Sequence, residues 1–250
     1  MGHYEKEANG RHPGLIIYLL DISGSMAEPF QGARKIDYVN RALASTLQRM
    51  IQRSTKGRVI SPRYRLAMCA YSDQALDMLG GIRTIDEVAA MGNPTLSPTN
   101  STDTHAAFLW ARDLLRRELP NLSGMPAPMV CHLTDGVYTA SDPEPLAHEI
   151  MQMSNDDGHA LVENIYVGPD LTDGTIGKIE SWPGLTDDSQ LRNTYAKKLF
   201  HMSSSLPKSY ANMIKDEGYA MLPGSRMLIP GSNSELIELA FTMSGATPVG

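Results

Sequence analysis

Residues 14–22, GLIIYLLDI, are apolar at nearly every position. A strand with one wet face alternates apolar and polar side chains. A run without alternation therefore reads as a strand buried on both faces, as in a mostly parallel sheet with helices on either side. Further strand-length runs follow at YRLAMCAYSD (64–73), PMVCHLTD (128–135), HALVENIYVG (159–168) and SRMLIP (225–230), with ALDML (75–79) as a short strand paired with the second. Between them lie helical patterns. KIDYVNRALASTLQRMIQ places Ile36, Val39, Leu43, Leu47 and Met50 on one face, and the pattern from Thr104 to about Leu119 does the same with Ala107, Trp110, Ala111, Leu114 and Leu115.

Helices are also expected within 82–100 and over DPEPLAHEIMQM, where Asp142 caps and Pro143 opens the helix. Helical text continues from Leu191 to Asp216, and a last helix begins at SNSELIELAFTM, where Ser232 and Glu235 have capping-box spacing. Strands alternating with helices give an α/β fold, a doubly wound, mostly parallel sheet of about six strands. At 250 residues one such domain spans 1–250, with residues 1–12 expected as a flexible N-terminal segment and 168–190 as an irregular excursion.

The first strand ends in LLDISGSM, where Asp21, Ser23 and Ser25 alternate at i, i+2 and i+4. Extended backbone sends such residues to one side, and Gly24 offers freedom to curl the hydroxyls to one point. Oxygen donors of this kind suit hard divalent cations. Two further pieces offer oxygens at comparable places: STDTH puts Thr102 just ahead of a helix, and LTDG ends another buried strand in Asp135.

In this order the three pieces resemble the metal-ion-dependent adhesion site (MIDAS) of the von Willebrand factor type A (VWA) family, whose pattern is Asp-x-Ser-x-Ser, then Thr, then Asp, commonly followed by Gly. The resemblance implies a Rossmann-like sheet of order 3-2-1-4-5-6 with the first and fourth strands adjacent. It implies that Ser23, Ser25 and Thr102 hold a divalent cation through hydroxyls while Asp21 and Asp135 act mostly through bound water. Mg²⁺ is the first expectation, with Mn²⁺ and Ca²⁺ as alternatives. The sequence departs from many relatives in having PTNS rather than a glycine-rich stretch before the threonine, where Thr95, Thr99 and Thr104 offer competing hydroxyls. Asp103 reads as a helix cap.

An ion held by neutral hydroxyls keeps most of its charge. The implied function is a protein-binding module that takes a partner's Asp or Glu carboxylate, not an enzyme. By analogy it resembles the intracellular bacterial branch of the family, in tellurite-resistance, stress or defence systems. The alternatives are a metal-dependent phosphohydrolase using Asp21, weakened because Ser23 stands where such enzymes carry a second aspartate, and an extracellular adhesion domain.

A net charge of −6 without a basic block disfavours nucleic acid. The opening MGHYEKEANGRHPG lacks the pattern of a secretory signal, and no run is long enough to span a membrane, giving the expectation of a cytoplasmic protein. Cys69 and Cys131 sit in apolar runs on strands flanking the first and are expected as unbonded filler. His132 is expected in the core, and no G-x-S-x-G elbow or phosphate-binding loop is present.

Overall fold

The structure is a computed structural model and describes residues 2–99, 101–136, 141–169, 171, 172, 176 and 178–244. Six strands carry the central sheet: β1 (Gly14–Asp21), β2 (Tyr64–Tyr71), β3 (Ala75–Asp77), β4 (Met129–Thr134), β5 (Leu161–Val167) and β6 (Leu228–Gly231). Their spatial order is β6-β5-β4-β1-β2-β3, with β3 antiparallel to β2 and the other pairs parallel. A two-residue strand, Arg83–Thr84, also pairs with β2. Among the described residues seven α-helices occur: α1 (Lys35–Ser54), α2 (Ile85–Met91), α3 (Thr104–Glu118), α4 (Glu144–Gln152), α5 (Thr194–His201), α6 (Lys208–Asp216) and α7 (Ser234–Ser244).

All eight residues of β1 are buried. Ile16, Tyr18 and Leu20 pack into a core with residues of α1, α6 and α7, whereas Leu15, Ile17 and Leu19 pack into a second core with residues of α3 and α4. The missing alternation in the sequence therefore has its expected cause, and β1 lies centrally between β2 and β4. Cys69 pairs with Leu19 and Cys131 with Tyr18, so the two thiols belong to cores on opposite sides of the sheet, and they are not joined in a disulfide.

Three expectations are corrected. The helical text from 191 to 216 is two helices: α5 ends at His201, Ser204 N then bonds Val162 O on β5, and α6 starts after Pro207. The last helix is capped not by Ser232 but by Asn233, whose Oδ1 accepts from Leu236 N at 2.9 Å. On α3, Phe108 takes the inward place expected for Trp110, which is half-buried. Residues 3–6 donate four backbone N–H groups to Asp157. In the 168–190 excursion Leu171, Ile179, Trp182 and Leu185 are buried, while residues 170, 173–175 and 177 lie outside the described residues.

One buried group carries a testable cost. Glu163 on β5 is fully buried beside its registered neighbour Cys131. Burial holds its carboxyl well above the usual carboxylate range, opposed by the Cys131 thiol. The folded state thus retains a proton that the unfolded chain releases, so this site stabilises most at pH below its unfolded value and loses that stability as pH rises towards the folded value. Glu163→Gln is expected to gain stability over the parent at pH 8 relative to pH 4, measured by urea unfolding; the same difference at both values would contradict this.

Candidate metal centre

Asp21 closes β1 and Asp135 directly follows β4, its parallel neighbour, so both carboxylates stand at the carboxyl edge of the sheet. β1 and β4 lead to opposite faces of the sheet at this point, the place where open α/β folds gather ligands. Asp21 Oδ1 accepts from Ser23 N at 2.8 Å and Oδ2 from Thr134 Oγ1 at 2.7 Å, which fixes a carboxylate that is wholly buried. After Ser23 the chain makes one 3₁₀ turn, Gly24–Ala27, with Met26 N bonded to Ser23 O and Glu28 N to Ser25 O. The two serines converge because of this turn and not because the strand continues extended. Gly24 takes part in this turn without a positive φ.

Ser23 Oγ and Ser25 Oγ lie 3.1 Å apart, and Ser25 Oγ donates to Asp135 Oδ1 at 2.7 Å. Two neighbouring oxygens around a six-coordinate ion with metal–oxygen bonds of about 2.1 Å are separated by about 3.0 Å. The serine pair already has that spacing. With each proton turned to an acceptor, a hydroxyl keeps a lone pair for a cation. The spacing and chemistry of these oxygens therefore fit a hard divalent ion, which Ser23 and Ser25 would hold directly with the two carboxylates behind them.

Thr102 is buried just ahead of α3, where Asp103 Oδ1 caps the helix by accepting from Ala106 N at 3.0 Å. Its loop is drawn to the same edge. Thr99 N bonds Ile22 O at 2.6 Å, and Asp103 N bonds Ser72 O, directly after the residue paired with Asp21. Asp21, Ser23, Ser25 and Asp135 form one hydrogen-bonded cluster together with Thr134, and Thr102 stands on the adjoining loop. Of the competing threonines, Thr99 spends its hydroxyl on Ile22 O at 3.2 Å.

The site is short of positive charge. Burial raises the Asp21 carboxyl to about 6, with the bonds from Ser23 and Thr134 pulling it down and the Asp135 charge pushing it up. Lys35, the first residue of α1, bonds Asp135 Oδ2 at 2.7 Å and Glu28 Oε2 at 2.8 Å. Burial works against this ammonium, but the two carboxylates outweigh it and hold its pKa above the ordinary value. Among the described residues no group of three or more His, Cys, Asp and Glu side chains is placed to hold a metal.

Sequence reasoning missed Lys35, since a lysine opening an amphipathic helix reads as solvated. It also missed a polar chain beneath the site. Tyr71 OH lies 2.7 Å from His132 Nε2, and His132 Nδ1 lies 2.7 Å from Asn164 Oδ1. Asn164 Nδ2 donates to Met202 O at 3.1 Å and Ser203 Oγ at 2.9 Å. These donations turn the Asn164 oxygen to His132, which assigns the histidine proton to Nδ1 and makes Nε2 the acceptor for Tyr71. Burial lowers the His132 pKa to about 4, with the Asn164 bond opposing, so the ring is neutral. The polar letters of His132 and Asn164 inside two wholly buried strands were the available signal.

No family model matches this sequence, and no curated protein matches it. Solved structures do match in fold. A pilus adhesin, SpaC from Lactobacillus rhamnosus GG, superposes with a TM-score of 0.56 at 12% identity over 96% of this chain and 31% of that one. The conserved hypothetical protein BatB from Bacteroides thetaiotaomicron gives 0.51 at 16% identity over 92% and 98%. Proximal thread matrix protein 1 from the mussel byssus, in a structure with a zinc-occupied MIDAS motif, gives 0.53 at 13% identity over 95% and 49%. The chain thus spans about half the length of that mussel protein. At these identities the likeness is one of fold, a VWA-like, Rossmann-like arrangement. No helix among the described residues is long and apolar enough to cross a membrane.

Proposed function

We propose that the chain is a metal-ion-dependent protein-binding module. Ser23, Ser25 and Thr102 would hold a divalent cation directly, Mg²⁺ first and Mn²⁺ or Ca²⁺ as alternatives, with Asp21 and Asp135 acting through bound water. When bound, the cation supplies an open position and undischarged positive charge for an Asp or Glu carboxylate of a partner protein. The observation that carries this reading is the 3.1 Å separation of the two serine hydroxyls, with Ser25 anchored on Asp135. The zinc-occupied MIDAS of the mussel protein, on a similar fold, supports a divalent ion at this kind of site.

The chain's own residues hold and orient rather than react. Asp21 accepts bonds on both oxygens and is wholly buried, which supports an anchoring role over that of the nucleophile a phosphohydrolase would need. Thr134 and the Ser23 amide keep that carboxylate facing the hydroxyls, and Lys35 neutralises part of the Asp135 charge. For the biological setting we propose an intracellular bacterial stress or defence system of the tellurite-resistance kind, by analogy alone. SpaC is a pilus adhesin, and an adhesion role outside the cell is the alternative setting for the same binding chemistry.

Acetate serves as a minimal carboxylate. Water-proton relaxation of the Mn²⁺-loaded chain is expected to fall as acetate is added, because the carboxylate replaces a coordinated water. Relaxation that ignores acetate would contradict carboxylate capture.

A further inference from the structure

The Asp135 side chain is wholly buried, yet its nearest cation is not an exposed arginine but Lys35, whose own side chain is only 12% exposed. Lys35 reaches Asp135 from the first turn of α1, while its second partner, Glu28, is 62% exposed on the outer side. The charge of Glu28 is screened by solvent; those of Asp21, Asp135 and Lys35 are not. The buried set of two carboxylates and one ammonium therefore carries one net negative charge. A dication reverses it to one net positive charge.

We propose that Lys35 is a resident counter-cation that makes the metal-loaded site net positive, so that a site repelling acidic partners when metal-free attracts them once loaded. The inference rests on the metal-binding reading above. Without Lys35 the buried charge would run from two negative to neutral, so the metal would bind more tightly while the loaded site would lose its pull on a carboxylate. Lys35 thus trades metal affinity for a net positive loaded site, and acts as a specificity-determining residue for acidic partners. Its ammonium also holds Asp135 Oδ2, leaving Oδ1 to the Ser25 hydroxyl. That division keeps Ser25 oriented whether or not the ion is present.

The test titrates Mn²⁺ calorimetrically into the parent, Lys35→Met, Lys35→Arg and the double variant Ser23→Ala/Ser25→Ala, then acetate into each Mn²⁺-loaded chain. Lys35→Met keeps most of the stem and removes the charge. It is expected to bind Mn²⁺ about tenfold more tightly and, once loaded, acetate several-fold more weakly, while Lys35→Arg stays near the parent on both. Near-ultraviolet circular dichroism checks folding, and Lys35→Gln replaces Lys35→Met should that variant fail to fold.

Equal or weaker Mn²⁺ binding by the folded Lys35→Met chain, with binding by the parent intact, would overturn the role of Lys35 and leave the metal site standing. Tighter Mn²⁺ binding with unchanged acetate affinity would overturn the sign reversal. Absence of Mn²⁺ binding in both the parent and Lys35→Met would overturn the metal reading and this inference together.

Discussion

A chain carrying Ser23→Ala and Ser25→Ala is expected to bind Mn²⁺ at least about 100-fold more weakly than the parent, because loss of even a supporting residue around a metal typically costs about 10–100-fold. Both hydroxyls that have the spacing of neighbouring ligands would be gone, and the two remaining carboxylates are engaged by Thr134, the Ser23 amide and Lys35. The fold is expected to survive. Asp135 loses one hydrogen bond on Oδ1 but keeps Lys35 on Oδ2, a cost of about 1–2 kcal/mol. Calorimetric titration of the double variant, with thermal unfolding as the control, reads both outcomes. Unchanged Mn²⁺ affinity in the folded variant would remove the serines from the site.

Asn164→Leu is expected to destabilise the protein by about 3 kcal/mol, although leucine has the same branched side-chain skeleton as asparagine and makes no cavity. The side chain of Asn164 is the hinge of the buried polar chain. Its loss strands the His132 Nδ1 proton, the Met202 carbonyl and the Ser203 hydroxyl in the core beneath the site. Each orphaned buried group costs about 1–3 kcal/mol, and Ser203 Oγ recovers part by its bond to Leu199 O at 2.7 Å. Tyr71→Phe, which removes one hydroxyl and leaves Nε2 as an unpaired acceptor, is expected to cost about 1–2 kcal/mol. Urea unfolding measures both; a shift under about 0.5 kcal/mol for Asn164→Leu would show that the chain of bonds contributes nothing net.

The architecture was legible because burial leaves a periodic trace. β1 lacks alternation and is buried on both faces, and the inward positions read from α1 are all core residues. The order of the six strands follows from the resemblance, with β1 beside β4 as that resemblance implies. What was misread is local and turns on single residues. α5 stops at His201 within a stretch whose hydrophobic period runs on, and Asn233 out-competes Ser232 as the cap one position later. In the site, Asp21, Ser23, Ser25 and Asp135 meet as the motif suggests, but through a 3₁₀ turn that side-chain alternation cannot foretell. Lys35 left no trace at all, since the pairing of a helix-opening lysine with a carboxylate 100 residues away is decided by the tertiary fold.

On the reading proposed above, Ser23 and Ser25, backed by Asp21 and Asp135, surround a divalent cation. Crystals of the chain soaked in MnCl₂ test it most directly, through an anomalous difference map collected with and without chelator. A single strong peak at bonding distance from both serine hydroxyls, lost on chelation, is the predicted result. A featureless map at that place, or a peak on other residues while both hydroxyls keep the bonds described above, would contradict it.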